Sequence, residues 1–260
     1  MKKFLYLLIG IFLTTNLAFS ADMRFIQVDS AMVSSKDEAS IGKHKKLIEN
    51  INKEKNVEFI IFTGDNIAKA DSENLDCFLT LNKSLQKPYY VVLGSKDVNK
   101  QKHLGKKDYM QMVSKKSKSH KRIKNPNYTI EKKEIVFIIL DGSRDVIPSA
   151  MGYYKEDTLS WLENQLSYYN DKNVVIIQHF PLIPPAKKES RCTCKPEEYL
   201  NLLKNYKNVK AIFAGNFGIN SEKLIEDVLH ITTTNAPQYR IIDIMDYEKE
   251  NPTFWSVIKE

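Results

Sequence analysis

Residues 57–66, with the sequence VEFIIFTGDN, join a continuous apolar run to a sharp polar turn. The run Val57–Phe62 ends in four consecutive apolar residues and does not alternate regularly between polar and apolar side chains, which is typical of a strand covered on both faces. Gly64 and Asp65 follow directly, so an acidic group stands at the carboxyl end of the strand. Ligands of open α/β sheets bind outside these strand ends. The stretch therefore predicts both a buried strand and one edge of a site.

The same pattern recurs along the chain and predicts the fold class. Further buried strands are expected at residues 25–28, 89–93, 135–140, 174–177 and 209–214. Amphipathic segments predict helices at residues 37–52, 71–85, 155–169 and 196–206. Three runs near the end predict consecutive antiparallel strands at residues 231–234, 239–244 and 254–258. This order is typical of an α/β protein, a layered α/β sandwich with mixed sheets. With no Gly/Ser/Pro-rich linker, we expect one domain over residues 21–260.

Polar residues follow the apolar runs at what we expect to be a common edge of the sheets. Asp29 follows the first run, Asp65 the second and His179 the fifth. Gly94-Ser95-Lys96-Asp97 follows the third run, Asp141 the fourth and Gly215-Asn216-Phe217-Gly218 the sixth. We expect Asp141 to shape its loop.

This order of motifs resembles the calcineurin-like metallophosphoesterases. Their series is D-x-H, then GD, then GNH followed by Asp or Glu, then a strand-end His, then GHxH. The resemblance covers nearly all of the chain after residue 20. It implies the phosphoesterase sandwich and hydrolysis of phosphate esters. Two divalent metals, bridged by a shared carboxylate, would clamp the phosphate and lower the pKa of a bridging water.

Three residues match metal-ligand positions of that family. Asp29 matches the Asp of D-x-H, Asp65 matches the bridging Asp of GD, and His179 matches the strand-end His of the second metal. From the residues alone, other roles stay open. Asp65 is equally well explained as a loop hydrogen-bond acceptor, and His179 as a packed histidine bonded to a loop carbonyl.

Five substitutions depart from the family pattern. Ala31 replaces the histidine of D-x-H, Ser95 replaces the Asn of GNH, and Asn216 and Gly218 replace both histidines of GHxH. Four of the seven ligand positions are therefore lost. Lys96 replaces the GNH histidine, which contacts phosphate in the family. An ammonium there would supply a fixed cation near Asp29 and Asp65, or else belong to the solvated lysine run that follows.

The losses favour a non-catalytic binding or scaffold protein. Two carboxylates hold Mg²⁺ or Ca²⁺ weakly, because these ions keep several waters, and they do not suit a tightly held transition metal. We expect no resident cofactor or, failing that, one weakly bound divalent metal (Mg, Mn or Ca). The alternative is a weak phosphoesterase with a one-metal or lysine-assisted site. Its residual ligands would be Asp29, Asp65 and His179, with Lys96 as the catalytic group.

The N-terminus predicts export. Lys2 and Lys3 precede a short apolar run at residues 4–13, and Ala18-Phe19-Ser20 offers a small-x-small cleavage pattern. We expect cleavage of a signal peptide, residues 1–20, near Ser20/Ala21 and a periplasmic or secreted protein. A retained N-terminal anchor is the alternative. After cleavage we expect no transmembrane span and no nucleic-acid partner.

A basic stretch, residues 96–124, carries ten lysines and one arginine against two aspartates, a local charge of +9. It predicts either a solvated insertion or a patch for an anionic ligand, a lipid surface or a cell-wall polymer. The three cysteines, Cys77, Cys192 and Cys194, permit a disulfide whose pairing the sequence leaves open. A metal role for Cys192-Thr193-Cys194 is not favoured, because the pair is too tight and lacks a second pair.

Overall fold

Eleven strands and five helices occur in residues 22–260, the part of the chain that this computed structural model describes. The predicted signal peptide lies outside these residues. The strands are β1 (Met23–Val28), β2 (Phe59–Phe62), β3 (Tyr89–Val91), β4 (Tyr128–Lys132), β5 (Ile135–Leu140), β6 (Asn173–Gln178), β7 (Val209–Ala214), β8 (Ser221–Ile225), β9 (Val228–Thr232), β10 (Tyr239–Met245) and β11 (Thr253–Lys259). The helices are α1 (Glu38–Lys53), α2 (Ser72–Leu81), α3 (Lys106–Lys116), α4 (Glu156–Tyr168) and α5 (Glu197–Leu203).

The strands form two mixed sheets that pack face to face. The first sheet has the order β11-β10-β1-β2-β3, and the second has the order β4-β5-β6-β7-β9-β8. Phe25 on β1 joins the sheets, because its ring contacts Phe137 and Phe213 of the second sheet at centroid distances of 5.4 Å. It also stacks on Phe59 of β2 at 5.2 Å. Such aromatic pairs add to the stabilisation from buried apolar area.

Helices cover the outer face of each sheet, which explains the continuous apolar strands. Helices α1, α2 and α3 pack on the first sheet through Leu47, Phe78 and Met110, among others. Helices α4 and α5 pack on the second sheet through residues such as Leu162 and Tyr199. The layered α/β sandwich with mixed sheets is thus confirmed. In residues 22–260, no helix combines the length and the apolar character needed to cross a membrane.

The prediction of consecutive antiparallel strands at the end of the chain is wrong for the first of them. Strand β9 pairs in parallel with β7 in the second sheet and antiparallel with β8. The chain then crosses to the first sheet, where β10 pairs with β1 and β11. The sequence does not predict strand β8, because its side chains are mostly exposed and show no apolar run.

The basic stretch is folded rather than a loosely attached insertion. Helix α3 lies within it and buries Tyr109, Met110 and Val113 against the core. A short 3₁₀ turn at Lys100–Lys102 precedes this helix, and another follows at Lys118–His120. The apolar face of α3 consists of only three residues among many lysines. Its apolar periodicity is therefore too weak for the sequence to predict the helix.

Two buried histidines predict loss of stability in acid. Burial lowers the pKa of His44 to about 4 and that of His120 to about 3. In the unfolded chain the pKa of histidine is about 6.5, so the unfolded state takes up protons first as the pH falls. The contribution of His44 is fully present above pH 6.5 and is lost as the pH falls towards 4. The loss amounts to about 3 kcal/mol, since one pKa unit is about 1.4 kcal/mol.

We expect His44→Gln to flatten the fall in unfolding free energy between pH 6.5 and pH 4, measured by urea titrations at several pH values. The glutamine amide can still donate to Asn82 Oδ1, which lies 2.8 Å from His44 Nε2. His103→Gln, at an exposed position, is the matched control and should leave the slope unchanged. Parallel curves for wild type and His44→Gln would show that His44 does not control acid sensitivity.

Candidate functional site

Loops at the carboxyl ends of β1, β2 and β6 bring Asp29, Asp65 and His179 together. His179 Nδ1 lies 3.6 Å from Asp29 Oδ1, and His179 Nε2 lies 3.4 Å from Asp65 Oδ1. The side chains of Asp29 and His179 are fully buried, and that of Asp65 is 6% exposed. The expectation that these three residues lie at one edge of the sheets is therefore met by the structure.

Asp29 is held by hydrogen bonds from three loops. Its Oδ1 accepts a bond from Thr63 Oγ1 at 3.1 Å. Its Oδ2 accepts bonds from Ser30 Oγ at 2.8 Å and from the backbone N–H of Asn216 at 3.0 Å. Both carboxylate oxygens are thus occupied by protein donors. One of these donors belongs to the loop in which the family carries its GHxH motif.

Asp65 is held by the loop that follows β3. Its Oδ1 accepts hydrogen bonds from the backbone N–H of Lys96 at 2.8 Å and from Ser95 Oγ at 3.1 Å. Its Oδ2 lies 3.4 Å from Ser95 Oγ and 3.8 Å from the half-exposed Lys96 Nζ. The Lys96 ammonium also lies 2.9 Å from Met32 Sδ. Ser95 and Lys96, which replace Asn and His of the family motif, therefore both contact Asp65.

His179 lies between the two carboxylates. Its Nδ1 is 2.6 Å from the backbone carbonyl of Thr63, so Nδ1 carries a proton and donates it. Its Nε2 is buried and points at Asp65 without the alignment of a hydrogen bond. The ring thus bonds a loop carbonyl, as one of the two roles left open by the sequence requires, and it also faces two acids.

The charges of these groups shift one another's pKa values. Burial alone would lower the pKa of His179, but the nearby charges of Asp65 and Asp29 raise it well above its usual value. Burial alone would raise the pKa of Asp65, but His179 and Lys96 lower it to about 2. Burial dominates at Asp29 and raises its pKa. An imidazolium paired with an ionised Asp65 is the state that these shifts favour.

The residues at the lost ligand positions have other contacts. The Asn216 side-chain nitrogen donates to the backbone carbonyls of Ala150 and Arg191, at 2.9 and 2.7 Å. Ala31 packs against the apolar core. Gly218 has a φ of +70°, in the left-handed region that favours glycine. Ala31 and Gly218 have no side-chain atom that could bind a metal, and the Asn216 amide is held through its nitrogen by two backbone carbonyls.

The loops of the site nevertheless keep an unusual backbone. Ser30, Asp65 and Asn216 are not glycines, yet their φ angles are 49°, 49° and 64°. Left-handed backbone at such residues costs energy and clusters at functional sites. The loops are also pressed onto the acids, because a Cβ atom on Gly215 would lie 1.6 Å from Asp29 Oδ1. The loops around Asp29 and Asp65 therefore have the backbone of a functional site, although most of the metal ligands expected from the family motifs are absent.

A dinuclear metal centre does not fit these residues. Within residues 22–260, no group of three or more His, Cys, Asp or Glu side chains is arranged to hold a metal ion. Both oxygens of Asp29 and Oδ1 of Asp65 already accept hydrogen bonds from the protein. Oδ2 of Asp65 lies 3.4 Å from the Ser95 hydroxyl, whose single proton it shares with Oδ1. The arrangement is instead a closed network of charges with one half-exposed cation, Lys96, at its edge.

Asp97, which stands where the family motif has Asp or Glu after GNH, is a supporting residue that was not among the predicted site residues. It is fully buried, and its Oδ2 accepts hydrogen bonds from the backbone N–H of Gly94 and from Asn66 Nδ2. Burial and the nearby charge of Asp65 raise its pKa to about 7. Asp97 lies three residues after Gly94, a spacing at which an aspartate often bonds the backbone of its own loop. This spacing could have identified Asp97 from the sequence.

Other sequence predictions have clear outcomes. Asp141 shapes its loop by accepting hydrogen bonds from Ser143, and it also pairs with Lys106 of α3 at 2.6 Å. The three cysteines are free thiols.

Comparisons with known proteins agree with the fold and the order of motifs. The calcineurin-like phosphoesterase family profile matches residues 26–215. A probable glycerophosphodiester phosphodiesterase, GpdQ, of Arcobacter nitrofigilis is 25% identical over 234 residues, 85% of this chain and 81% of that protein.

Two solved structures illustrate the range of proteins with this fold. A dimetal phosphatase of Danio rerio superposes with a TM-score of 0.66 at 13% identity, covering 90% of this chain and 99% of that one. GAP50, described as the anchor in the inner membrane complex of Plasmodium, superposes with a TM-score of 0.57 at 14% identity, covering 93% and 90%. These likenesses concern the fold, whereas the profile match spans most of the sequence. The chain belongs to the calcineurin-like phosphoesterase family.

Proposed function

We propose that this chain is a non-catalytic binding or scaffold protein built on the phosphoesterase fold. The observation that carries the proposal is the bonding of Asp29 and Asp65. Protein donors from the positions of lost ligands, Ser95 Oγ and the backbone N–H of Asn216, already bond these carboxylates. Each hydrogen bond uses one lone pair of a carboxylate oxygen and so reduces what the carboxylate offers a dication.

The charge balance supports the same conclusion. A two-metal phosphoesterase site places about four positive charges beside its bridging carboxylate and uses them to stabilise the transferring phosphate. Here the cations near Asp65 are the buried His179 ring and the Lys96 ammonium at 3.8 Å. These groups balance the buried acids, as a buried charge requires, and leave little surplus positive charge for catalysis.

The similar proteins are compatible with both a non-catalytic role and a hydrolase, and they guide the choice of assay. GpdQ is named as a probable glycerophosphodiester phosphodiesterase, so a phosphodiester is the substrate to test first. GAP50 is described as an anchor, so the same fold is also found in a protein with that role. Fold likeness by itself does not assign function, and the site must decide.

We expect Mn²⁺, Mg²⁺ and Ca²⁺ at 1 mM to leave the melting temperature of the purified protein unchanged within about 1 °C. A ligand that binds only the native state must stabilise it, by about 2.7 kcal/mol at one hundred times its Kd. Differential scanning fluorimetry after treatment with EDTA measures the shift. The GpdQ protein of Arcobacter nitrofigilis is the positive control.

In parallel, hydrolysis of bis(4-nitrophenyl) phosphate with each metal should equal the buffer blank. The alternative hypothesis, a weak hydrolase using Asp29, Asp65, Lys96 and His179, predicts a metal shift and turnover. Turnover that disappears in Asp65→Asn, with the fold intact by circular dichroism, would overturn the proposed function. Lys96→Gln then separates a lysine-assisted site from a one-metal site.

A further inference from the structure

The basic stretch is tied to the rest of the molecule by four ion pairs. Lys96 pairs with Asp65, Lys100 with Asp145, Lys106 with Asp141 and Lys116 with Asp76. These contacts fix the stretch in place, so that its remaining positive charge has a defined location on the surface.

Three lysines converge on one cavity beside the site. Lys69, Lys96 and Lys102 line a cavity of about 250 Å³, with Pro148 on its rim. None of the residues that line it is acidic. Lys69 precedes α2 and lies outside the basic stretch, so the fold and not the sequence run assembles this cluster. The Lys96 ammonium is also close to Asp65 and Met32, whereas within residues 22–260 Lys69 and Lys102 form no ion pair. Lys69 and Lys102 therefore contribute most to the attraction of this opening for negatively charged groups.

An exposed apolar loop tip lies next to this cavity. The side chains of Val146 and Ile147 are 55% and 72% exposed, although neither is charged or polar. Asp145 holds the loop against the basic stretch, because its backbone carbonyl accepts the N–H of Lys100 at 2.7 Å. Pro148, the next residue after Ile147, lines the lysine cavity itself. Apolar and cationic groups are therefore presented side by side.

The neighbouring acids are already engaged. Asp71 and Glu73 border the adjacent depression with Lys69 and Lys102. Asp71 Oδ1 accepts the backbone N–H of Glu73 at the start of α2, and the Glu73 carboxylate pairs with Lys36 at 3.6 Å. Their charges reduce the positive potential of the patch without neutralising its three lysines.

We propose that Lys69, Lys96, Lys102, Val146 and Ile147 form a patch that binds the surface of an anionic phospholipid membrane. Lysines are attracted to the negative surface potential of such a membrane, and their stems tolerate the interface. Val146 and Ile147 enter the boundary between headgroups and acyl chains, where burial of aliphatic side chains is favourable. This inference rests on the proposed binding role and gives that role a partner.

The test is cosedimentation of the full chain with vesicles of 30% phosphatidylglycerol in phosphatidylcholine, and with phosphatidylcholine alone. We expect binding only to the anionic vesicles, weakening as the salt concentration rises. Each lysine near an anionic surface contributes roughly fivefold to partitioning. The triple variant Lys69→Gln, Lys96→Gln and Lys102→Gln should therefore bind about 100-fold more weakly. The double variant without the Lys96 change, which spares Asp65, should bind about 25-fold more weakly.

A second pair of variants tests the apolar part. Val146→Ser with Ile147→Ser should weaken partitioning about tenfold and leave its salt dependence unchanged, because no charge is altered. Leu224→Ser, at a residue that is 68% exposed on β8, is the matched control and should bind like wild type. If the double variant and Leu224→Ser lost the same amount of vesicle binding, Val146 and Ile147 would not insert into the membrane.

Charge placement needs its own control. Lys115, Lys118 and Lys121 are exposed lysines of the same stretch, away from the lysine cavity. Their triple change to Gln removes the same charge and should weaken vesicle binding far less.

Three outcomes would overturn the proposal. Two of them are an equal loss of vesicle binding in both triple variants, and equal binding of the wild type to anionic and neutral vesicles. Full competition by millimolar glycerol 1-phosphate would also overturn it, in favour of a soluble anion site. If the protein hydrolysed phosphodiesters and still bound anionic vesicles, the non-catalytic role would be wrong and the membrane-binding proposal would hold.

Discussion

His179→Leu should lower the free energy of unfolding by about 3 to 5 kcal/mol, the usual effect of removing one partner from a buried ion pair. The substitution leaves Asp29 and Asp65 buried without the cation that lies 3.6 and 3.4 Å from them. Leucine fills a similar volume, so the loss reports the charges rather than a cavity. Urea unfolding at pH 7, followed by circular dichroism, measures it.

His230→Leu is the matched control for this experiment. His230 is also a largely buried histidine on a strand, at 9% exposure, and burial lowers its pKa to about 4. We expect the control to change stability by less than about 1 kcal/mol, as typical for isosteric changes. If both variants lost the same amount, His179 would be an ordinary packed histidine and the charge network would not stabilise the fold.

The second large effect concerns the loop that carries Ser95 and Lys96. A Cβ atom on Gly94 would lie 2.1 Å from the backbone nitrogen of Asp65 and 2.4 Å from its Oδ1. Gly94→Ala must therefore push the loop away from Asp65 and break the hydrogen bonds that Ser95 and Lys96 make to it. We expect a loss of about 3 kcal/mol, at the upper end of overpacking effects.

Gly42→Ala is the corresponding control and should have the opposite sign. Gly42 lies in α1, and a Cβ atom added there would meet no other atom within 4 Å. Alanine therefore fits and favours the helix by about 0.5 to 1 kcal/mol. Thermal and urea unfolding of both variants give the comparison. A neutral Gly94→Ala would mean that the loop is not pressed onto Asp65.

These expectations follow from the geometry of the loops around Asp29 and Asp65. The left-handed backbone at Asp65 and Asn216 and the close approach of Gly215 to Asp29 are local strains that a loop without function has no reason to keep. In this chain they hold a hydrogen-bonded charge network. Proteins with this fold include GpdQ, named as a probable phosphodiesterase, the dimetal phosphatase of Danio rerio and the anchor GAP50.

Much of the fold could be predicted because its strands are continuous apolar runs. The sequence did not predict the elements whose apolar faces are small or absent. Helix α3 buries three residues among many lysines, and β8 is mostly exposed. The wrong pairing of β9 has a different cause, since the run at residues 228–232 indicates a strand but not which sheet accepts it.

The sequence by itself determined the family and the layered fold, and it predicted Asp29, Asp65, His179 and Lys96 as candidate site residues. These features depend on residue type and order, which a linear pattern records. Only the tertiary structure decided what those residues do to one another. Hydrogen bonding and charge coupling fall off over a few ångströms, and Asp29 meets Asn216 across 187 positions of the chain. The joining of Lys69 to Lys96, Lys102 and the Val146–Ile147 tip is likewise a property of the fold, because loops from three elements must meet before their charges add.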